Sequence, residues 1–323
     1  MSVLHTESVK QRTLTQAISY VGIGLHTGKK VKMVVMPAKE NSGINFIRTD
    51  ITEVDNVIPA RWYNVTDTTL STVISNEDDI SVGTIEHLMA ALLGCGVDNA
   101  TIEISGPEVP IMDGSAEPFV SVIEKVGTID QPASRKALWI HRPIEVRDGD
   151  KYSILMPSNT PRITVEIDFQ ASAIGSQTHS VTLVNEAFRN DIARARTFGF
   201  TNDLQKLKNL GLAKGGSLKN AVLVDGDRIV NEEGLRYKDE FVRHKILDVM
   251  GDLALAGVPI IGHLYARKPG HKINNILIQQ MIKFPDAWSY VDIDDFNALT
   301  NADTESAKNT AQSSHRTKQS ITG

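Results

Sequence analysis

A chain of 323 residues with 41% hydrophobic and 23% charged residues has the mix of a soluble globular protein, with enough apolar material for more than one core. A formal net charge of -5 leaves no electrostatic footprint for nucleic acid, so an anionic ligand must be met by a local cluster of Lys and Arg. The single cysteine, Cys95, excludes an intrachain disulfide and the cysteine-rich zinc knots, and fits a reducing, cytoplasmic compartment.

The opening MSVLHTESVKQRTL lacks the apolar core of a signal peptide, and residues 1–11 read as a frayed polar start. The longest apolar stretches, near 88–97 and 253–266, are interrupted and too short to span a bilayer. The turn-rich run VGIGLHTGKK leads into a strand, VKMVVMPA. A helix is predicted from Thr84 to Leu93, with Thr84 as N-cap, Glu86 favouring the positive helix start and Gly94 ending it in a left-handed conformation. A strand, NATIEISG, and a second helix at 116–125 follow.

The polar, Pro-containing stretch 128–137 reads as a connection, which places a domain boundary between 1–127 and 128–300. Beyond it come strands in ALWIHRPIEVRD, KYSILMP and RITVEIDF, helices at about 185–192 and 201–210, and then LAKGGSLKNAVLVDG as turn, short helix and strand. The strongest helix is 238–256, followed by a strand, IIGHLYA, and a last helix at 273–284. The Ser/Thr/Asn-rich stretch 301–323 has little to bury and is expected to be disordered. In each half a helical His precedes a Gly by seven residues (His87 to Gly94, His244 to Gly251) and a strand follows, which suggests a duplicated α+β unit.

Chemistry concentrates in a few runs. In FVRHKILDVMGDL, His244, Asp248 and Asp252 are spaced four apart and stack on one helix face. The apolar residues around them leave little room for a solvated face, so the stripe should point into a cleft, where a buried carboxylate needs a cation or a metal. A His and an Asp at i, i+4 can share a zinc; an intrahelical hydrogen bond is the plainer alternative. In GTIEHLMAALLG, Glu86 and His87 stand together near a helix start, either as a general base beside a metal ligand or as a capping Glu beside a satisfied His. The chain has no HExxH, which excludes the common metalloprotease layout. His271, after Gly270 in a turn, is either simply exposed or faces the cleft, where Asp252 could hold it protonated as an acid for a departing amine. The RARTFGF run offers one small hydroxyl, Thr197.

The runs VGIGLHTGKKV, TIEHLMAAL, VPIMDGSAEPF, RARTFGF, GLRYKDEFVRHKILDVMGDL and GHKINN occur in one order from about residue 11 to 295. Together they closely resemble the UDP-3-O-acyl-N-acetylglucosamine deacetylases of lipid A biosynthesis. The resemblance implies two similar α+β domains, each a sheet layered with helices and carrying a small insert, with the active site between them. It implies zinc (Zn2+) on His87, His244 and Asp248, Glu86 as general base, His271 as general acid oriented by Asp252, Thr197 at the oxyanion and Lys245 on substrate. It further implies Lys151, Phe169 and Lys268 at the nucleotide and Phe198 among the substrate contacts. The stretch 203–224, with Leu204, Ala213, Gly216, Ser217, Ala221 and Leu223, would line an acyl-chain passage, and Leu70 would serve the sugar and acyl region. Ser71 stands where the family commonly has Cys, and several passage positions differ in identity, which leaves acyl-length preference open. The expected partner is a small molecule, the acylated UDP-sugar. Its lipid tail would allow a loose association with the inner membrane surface, although no amphipathic anchor is visible. Three other readings are an amidase for another N-acyl substrate, a nucleotide-sugar binder with structural zinc, and a metal-free hydrolase.

Overall fold

The computed structural model describes residues 8–184 and 186–300, and the expectation for 301–323 lies outside them. Within that span the chain is α+β, and its main feature is one strand plan used twice. The first sheet has the order Ile18–Ile23, Lys30–Pro37, Ala100–Ile104, Ile44–Arg48, Val57–Pro59. The second has Ile144–Asp148, Lys151–Met156, His263–Arg267, Arg162–Asp168, Ser176–Thr182. In both, the third and fourth strands of that order pair parallel and the other pairs antiparallel. Each unit therefore runs through four strands, an insert and a helix before its fifth strand enters the middle of the sheet. The echo between the halves corresponds to a repeated topology.

The period-two pattern explains which face each sheet buries. Val31, Met33 and Val35 point inward from Lys30–Pro37 in the first unit, and Ile163, Val165 and Ile167 do so from Arg162–Asp168 in the second. The inserts are small three-stranded sheets at equivalent places in the chain. One is Val65–Asp67, Val73–Ser75 and Ser81–Val82; the other is Phe198–Phe200, Val222–Asp225 and Arg228–Ile229.

The helices are α1 (Glu86–Gly94), α2 (Glu117–Val126), α3 (Leu204–Asn209), α4 (Glu240–Leu253) and α5 (His271–Lys283). Helix α4 is buried along its whole length apart from Arg243 and Lys245, as expected for a helix with no solvated face. It packs against α1, and Gly251 is the reason the two can approach so closely: a Cβ built there would lie 2.0 Å from the Glu86 carbonyl oxygen.

Several local expectations are corrected. Thr84 does not cap α1; it lies in the left-handed region at φ 55, Ile85 occupies the cap position, and the Thr84 hydroxyl is taken by Glu108. The left-handed turn after α1 falls on Gly96 at φ 69, whereas Gly94 is helical and makes room for the ring of Phe188. The stretch 128–137 is not an irregular connection: Thr128–Ser134 forms a strand paired with Lys10–Leu14, which also orders the N-terminal residues from Lys10. The expected helix at 185–192 is a π-helical turn, Phe188–Ile192, that at 201–210 is a short 3-10 turn leading into α3, and the short helix between 212 and 221 is only turns. IIGHLYA is interrupted at Gly262, between Ile260–Ile261 and His263–Arg267. A helical stretch not expected from the sequence, 293–300, closes a small second core of Ala137, Ile261, Ile293 and Phe296. Among the described residues no helix is long and apolar enough to cross a membrane.

Candidate active site

The metal candidates come from two helices. On α4, His244 and Asp248 lie one turn apart with Nε2 and Oδ1 separated by 3.3 Å; on α1, His87 directs Nε2 to within 3.6 Å of the same oxygen. The two imidazoles meet edge to face at a centroid distance of 4.9 Å. All three side chains are buried, and their ligating atoms lie within 4.8 Å of one another. An intrahelical His–Asp contact alone would not recruit a second imidazole from another helix. A tetrahedral ion with bonds of about 2.0–2.1 Å places its donor atoms about 3.3 Å apart, close to the 3.3 and 3.6 Å that separate Asp248 Oδ1 from the two imidazole nitrogens.

The electrostatics suit ligation. Burial pushes the His244 imidazole down to about 4, which leaves it neutral at pH 7. Its Nδ1 is 3.0 Å from the Ala195 carbonyl oxygen, and donation to that acceptor makes Nε2 the lone-pair nitrogen facing the cluster. Burial raises the Asp248 carboxyl, but His244, Lys245, His87 and His271 outweigh it and hold the group well below the ordinary carboxylate range. Lys245 donates to Asp248 Oδ2 over 2.8 Å, and its ammonium lies 5.5 Å from the centre of the Phe198 ring. Burial works against that ammonium, yet Asp248, Asp252 and Glu86 raise it above its ordinary range.

Beside this cluster stands a carboxyl–imidazole pair, Glu86 and His271. Burial drives the Glu86 carboxyl above its ordinary range, against the pull of His271 and His87. Its Oε2 accepts the Thr72 backbone N–H, and its Oε1 faces His271 Nε2 across 3.9 Å. His271 is the first residue of α5 and not part of a turn; Gly270 occupies the cap position. Burial and the positive end of α5 both oppose an imidazolium there. The hydrogen bond of 2.9 Å from Nδ1 to Asp252, together with the charges of Glu86 and Asp248, overcomes them and raises His271 to about 9. Asp252 is fixed in turn by the Thr72 hydroxyl and by the Asn274 side-chain amide at 2.8 Å.

The structure thus brings together Glu86, His87, His244, Lys245, Asp248, Asp252 and His271. Thr197 lies in the adjoining loop, its N–H bonded to the Gly114 carbonyl and its carbonyl to the Val222 N–H. Phe198 follows and packs on Phe169 at 5.6 Å. Leu70 is exposed at φ 65, two residues before Thr72. Lys268, at φ 51, pairs with Asp150 at 2.9 Å and approaches Asp168 at 3.7 Å; Lys151 lies near Gly270. On the second insert, Leu204 opens α3, Gly216 faces Leu25 of the first unit, and the Ser217 N–H bonds to Asn220. None of these last residues touches the metal cluster through a direct polar contact.

Sequence reasoning missed Thr72, Asn274 and the Arg196–Glu240 pair. Glu240 is fully buried and receives the Arg196 guanidinium, the Arg196 N–H and the Arg236 N–H, which fixes the loop carrying the Ala195 carbonyl and Thr197. Asn274 stands three residues after His271 on one helix face, a spacing that could have flagged it. Thr72 carries no such signal. Size does not mark the site either: a cavity of about 1310 Å³ at the far ends of α1 and α4, lined by Cys95, Met250 and Leu253, contains none of these residues.

A repeated α+β scaffold thus buries two imidazoles and a carboxylate that could hold a metal ion, beside a carboxyl–imidazole pair. The family model described as UDP-3-O-acyl N-acetylglycosamine deacetylase matches residues 11–283, and the chain belongs to that family. Among its relatives is the UDP-3-O-acyl-N-acetylglucosamine deacetylase of Idiomarina loihiensis, 48% identical over 292 residues, covering 90% of this chain and 95% of the relative. The proteins of the same name from Phenylobacterium zucineum and Myxococcus xanthus are each 46% identical. They cover 86% and 89% of this chain, and 95% and 91% of their own lengths.

Proposed function

We propose that this chain hydrolyses the N-acetyl group of UDP-3-O-(3-hydroxyacyl)-N-acetylglucosamine in the cytoplasm, releasing acetate for lipid A biosynthesis, with zinc held by His87, His244 and Asp248. The observation that carries the reading is the 3.9 Å gap between Glu86 and His271 beside the three converging ligand atoms. When bound, zinc would supply Lewis acidity at the acetamide carbonyl and the attacking water. Glu86, raised by burial, accepts the proton that the water loses as its oxygen attacks the carbonyl carbon. Thr197 donates to the developing oxyanion, a kind of contact worth about 3 kcal/mol in other enzymes. His271, cationic at neutral pH, protonates the nitrogen as the C–N bond breaks, because an amide anion is too poor a leaving group to depart unaided. Asp252 holds His271 in place, and Lys245 contacts the substrate while anchoring Asp248.

The remaining assignments rest on the family. Lys151, Phe169 and Lys268 serve the nucleotide; Phe198, Leu70 and the insert with Leu204, Gly216 and Ser217 serve the sugar and acyl chain. The two sheet repeats act as two domains meeting near residue 127, with the site between them. The lipid-tailed substrate brings the enzyme into loose contact with the inner membrane surface. The test is acetate release from the acylated UDP-sugar before chelation, after chelation and after zinc is restored. Loss and recovery are expected; turnover that survives chelation refutes the metal-dependent reading, and no acetate from zinc-loaded protein refutes the substrate.

A further inference from the structure

Glu108 stands outside the catalytic cluster and is 2% exposed. Its carboxylate accepts four hydrogen bonds from neutral donors on two separate segments. Oε1 takes the His26 backbone N–H at 2.7 Å and the Thr84 hydroxyl at 3.0 Å. Oε2 takes the Thr27 backbone N–H at 2.9 Å and the Thr27 hydroxyl at 2.7 Å. The Glu108 backbone is equally committed: its segment bridges to Gly83 on one side, and through Pro110 to Gly24 on the other. One residue thus joins the loop of the first unit, 24–28, to the entry of α1.

Each end of this link leads to the site. Toward α1, Thr84 is a β-branched residue at φ 55, a conformation that few such residues adopt unless held. Two and three residues on are Glu86 and His87, and the helix start has no side-chain cap of its own. The Thr84–Glu108 bond therefore takes over the anchoring that a cap would provide. Toward the loop, the Leu25 and His26 carbonyls accept the N–H groups of Gly215 and Lys214 from the second insert, at 2.9 and 3.3 Å. Crowding at Gly215, where a Cβ would meet the Gly24 carbonyl oxygen at 2.2 Å, shows how tightly that insert turn sits on the loop.

We propose that Glu108 is a positioning residue that sets two distances at once: that of the α1 side chains Glu86 and His87 from their partners on α4 and α5, and that of the 213–216 insert turn from the metal cluster. The proposal deepens the deacetylase reading and rests on it for its kinetic consequences. A glutamine in place of Glu108 would keep the shape but offer one oxygen to four donors and turn its amide toward two of them.

The test compares zinc-loaded Glu108→Gln, Thr84→Gly and Thr27→Val with wild type, by acetate release, melting temperature and zinc affinity in a chelator competition. Thr84→Gly relieves the strained φ while removing the hydroxyl. It should stay folded, lose kcat by about fivefold or more with KM little changed, and bind zinc about fivefold more weakly. Thr27→Val should mainly raise KM for the acylated substrate, and Glu108→Gln should show both effects. If Glu108→Gln does not fold, the two single-contact variants carry the test, since each keeps the carboxylate and most of its bonds. A lowered melting temperature with kcat, KM and zinc affinity unchanged would make Glu108 a stabilising residue only and overturn the proposal. If wild type releases no acetate, the deacetylase reading fails by itself. Zinc affinity then decides: a loss in Thr84→Gly and Glu108→Gln supports positioning of α1, and wild-type affinity in both overturns it.

Discussion

Gly251→Ala perturbs the site without touching any candidate catalytic side chain. The added Cβ would sit 2.0 Å from the Glu86 carbonyl oxygen, 2.6 Å from its carbon and 2.8 Å from its Cα. These obstacles are backbone atoms of α1 and cannot rotate away. Restoring an ordinary contact of about 3.4 Å requires that Cβ and the carbonyl oxygen to move apart by roughly 1.4 Å, an overpacking change that typically costs about 1–3 kcal/mol. His87 and Glu86 would move with α1, while His244, Asp248 and Asp252 would stay with α4. The 3.6 Å between His87 Nε2 and Asp248 Oδ1 spans that boundary, so the ligand set opens with the helices. A displacement of about 1 Å can lower a rate by about a hundredfold. Gly251→Ala should therefore melt several degrees lower, bind zinc more weakly in a chelator competition, and lose kcat even at saturating zinc. A folded Gly251→Ala protein with wild-type zinc affinity and kcat within about twofold of wild type would refute the argument that this close approach sets the site.

Asp252→Asn should move the basic limb of the pH–rate profile to lower pH by about one unit or more, because it removes the main charge that raises His271 to about 9; an unmoved limb would exclude His271 as the acid. The same pair links stability to pH. A folded pKa raised above the usual 6.5 contributes stability fully below about 6.5 and loses it as the pH rises through about 9, so in the metal-free protein this dependence should shrink in Asp252→Asn, as urea unfolding at several pH values would show. Glu240→Gln removes the buried counter-charge of Arg196 and one of its two acceptor oxygens, and should destabilise by about 3–5 kcal/mol, read from denaturant midpoints; a cost near zero would mean the pair does not anchor the 195–197 loop. Gly216→Leu should impair turnover of the acylated substrate far more than that of an unacylated analogue, and equal losses would place the acyl passage elsewhere.

The α4 stripe was legible because helical periodicity is local: residues four apart share a face, and the apolar neighbours of His244, Asp248 and Asp252 required that face to be interior. The period-two strands of both sheets were legible for the same reason. Local rules failed where a distant group competed for the same atoms. Thr84 has the side chain of a cap, but Glu108 takes its hydroxyl. Gly94 could have ended α1, but Phe188 needs its missing side chain. The stretch 128–137 lacks a hydrophobic run, yet its strand, Thr128–Ser134, is held by backbone pairing to Lys10–Leu14. The 293–300 helix draws on a second core assembled from residues far apart in the chain.

By itself the sequence determined the types and spacing of the donors on α4, the pairing of Glu86 with His87, and, through the resemblance of its runs, the family. Only the tertiary structure decided that His87 meets His244 and Asp248, because that contact depends on two helices crossing at Gly251. It also decided the charge of His271, since the carboxylates that keep this buried imidazole protonated come from α1 and α4 and not from its own helix. Spacing within a helix follows from backbone geometry; ligand convergence and proton affinity follow from which surfaces pack together and exclude water.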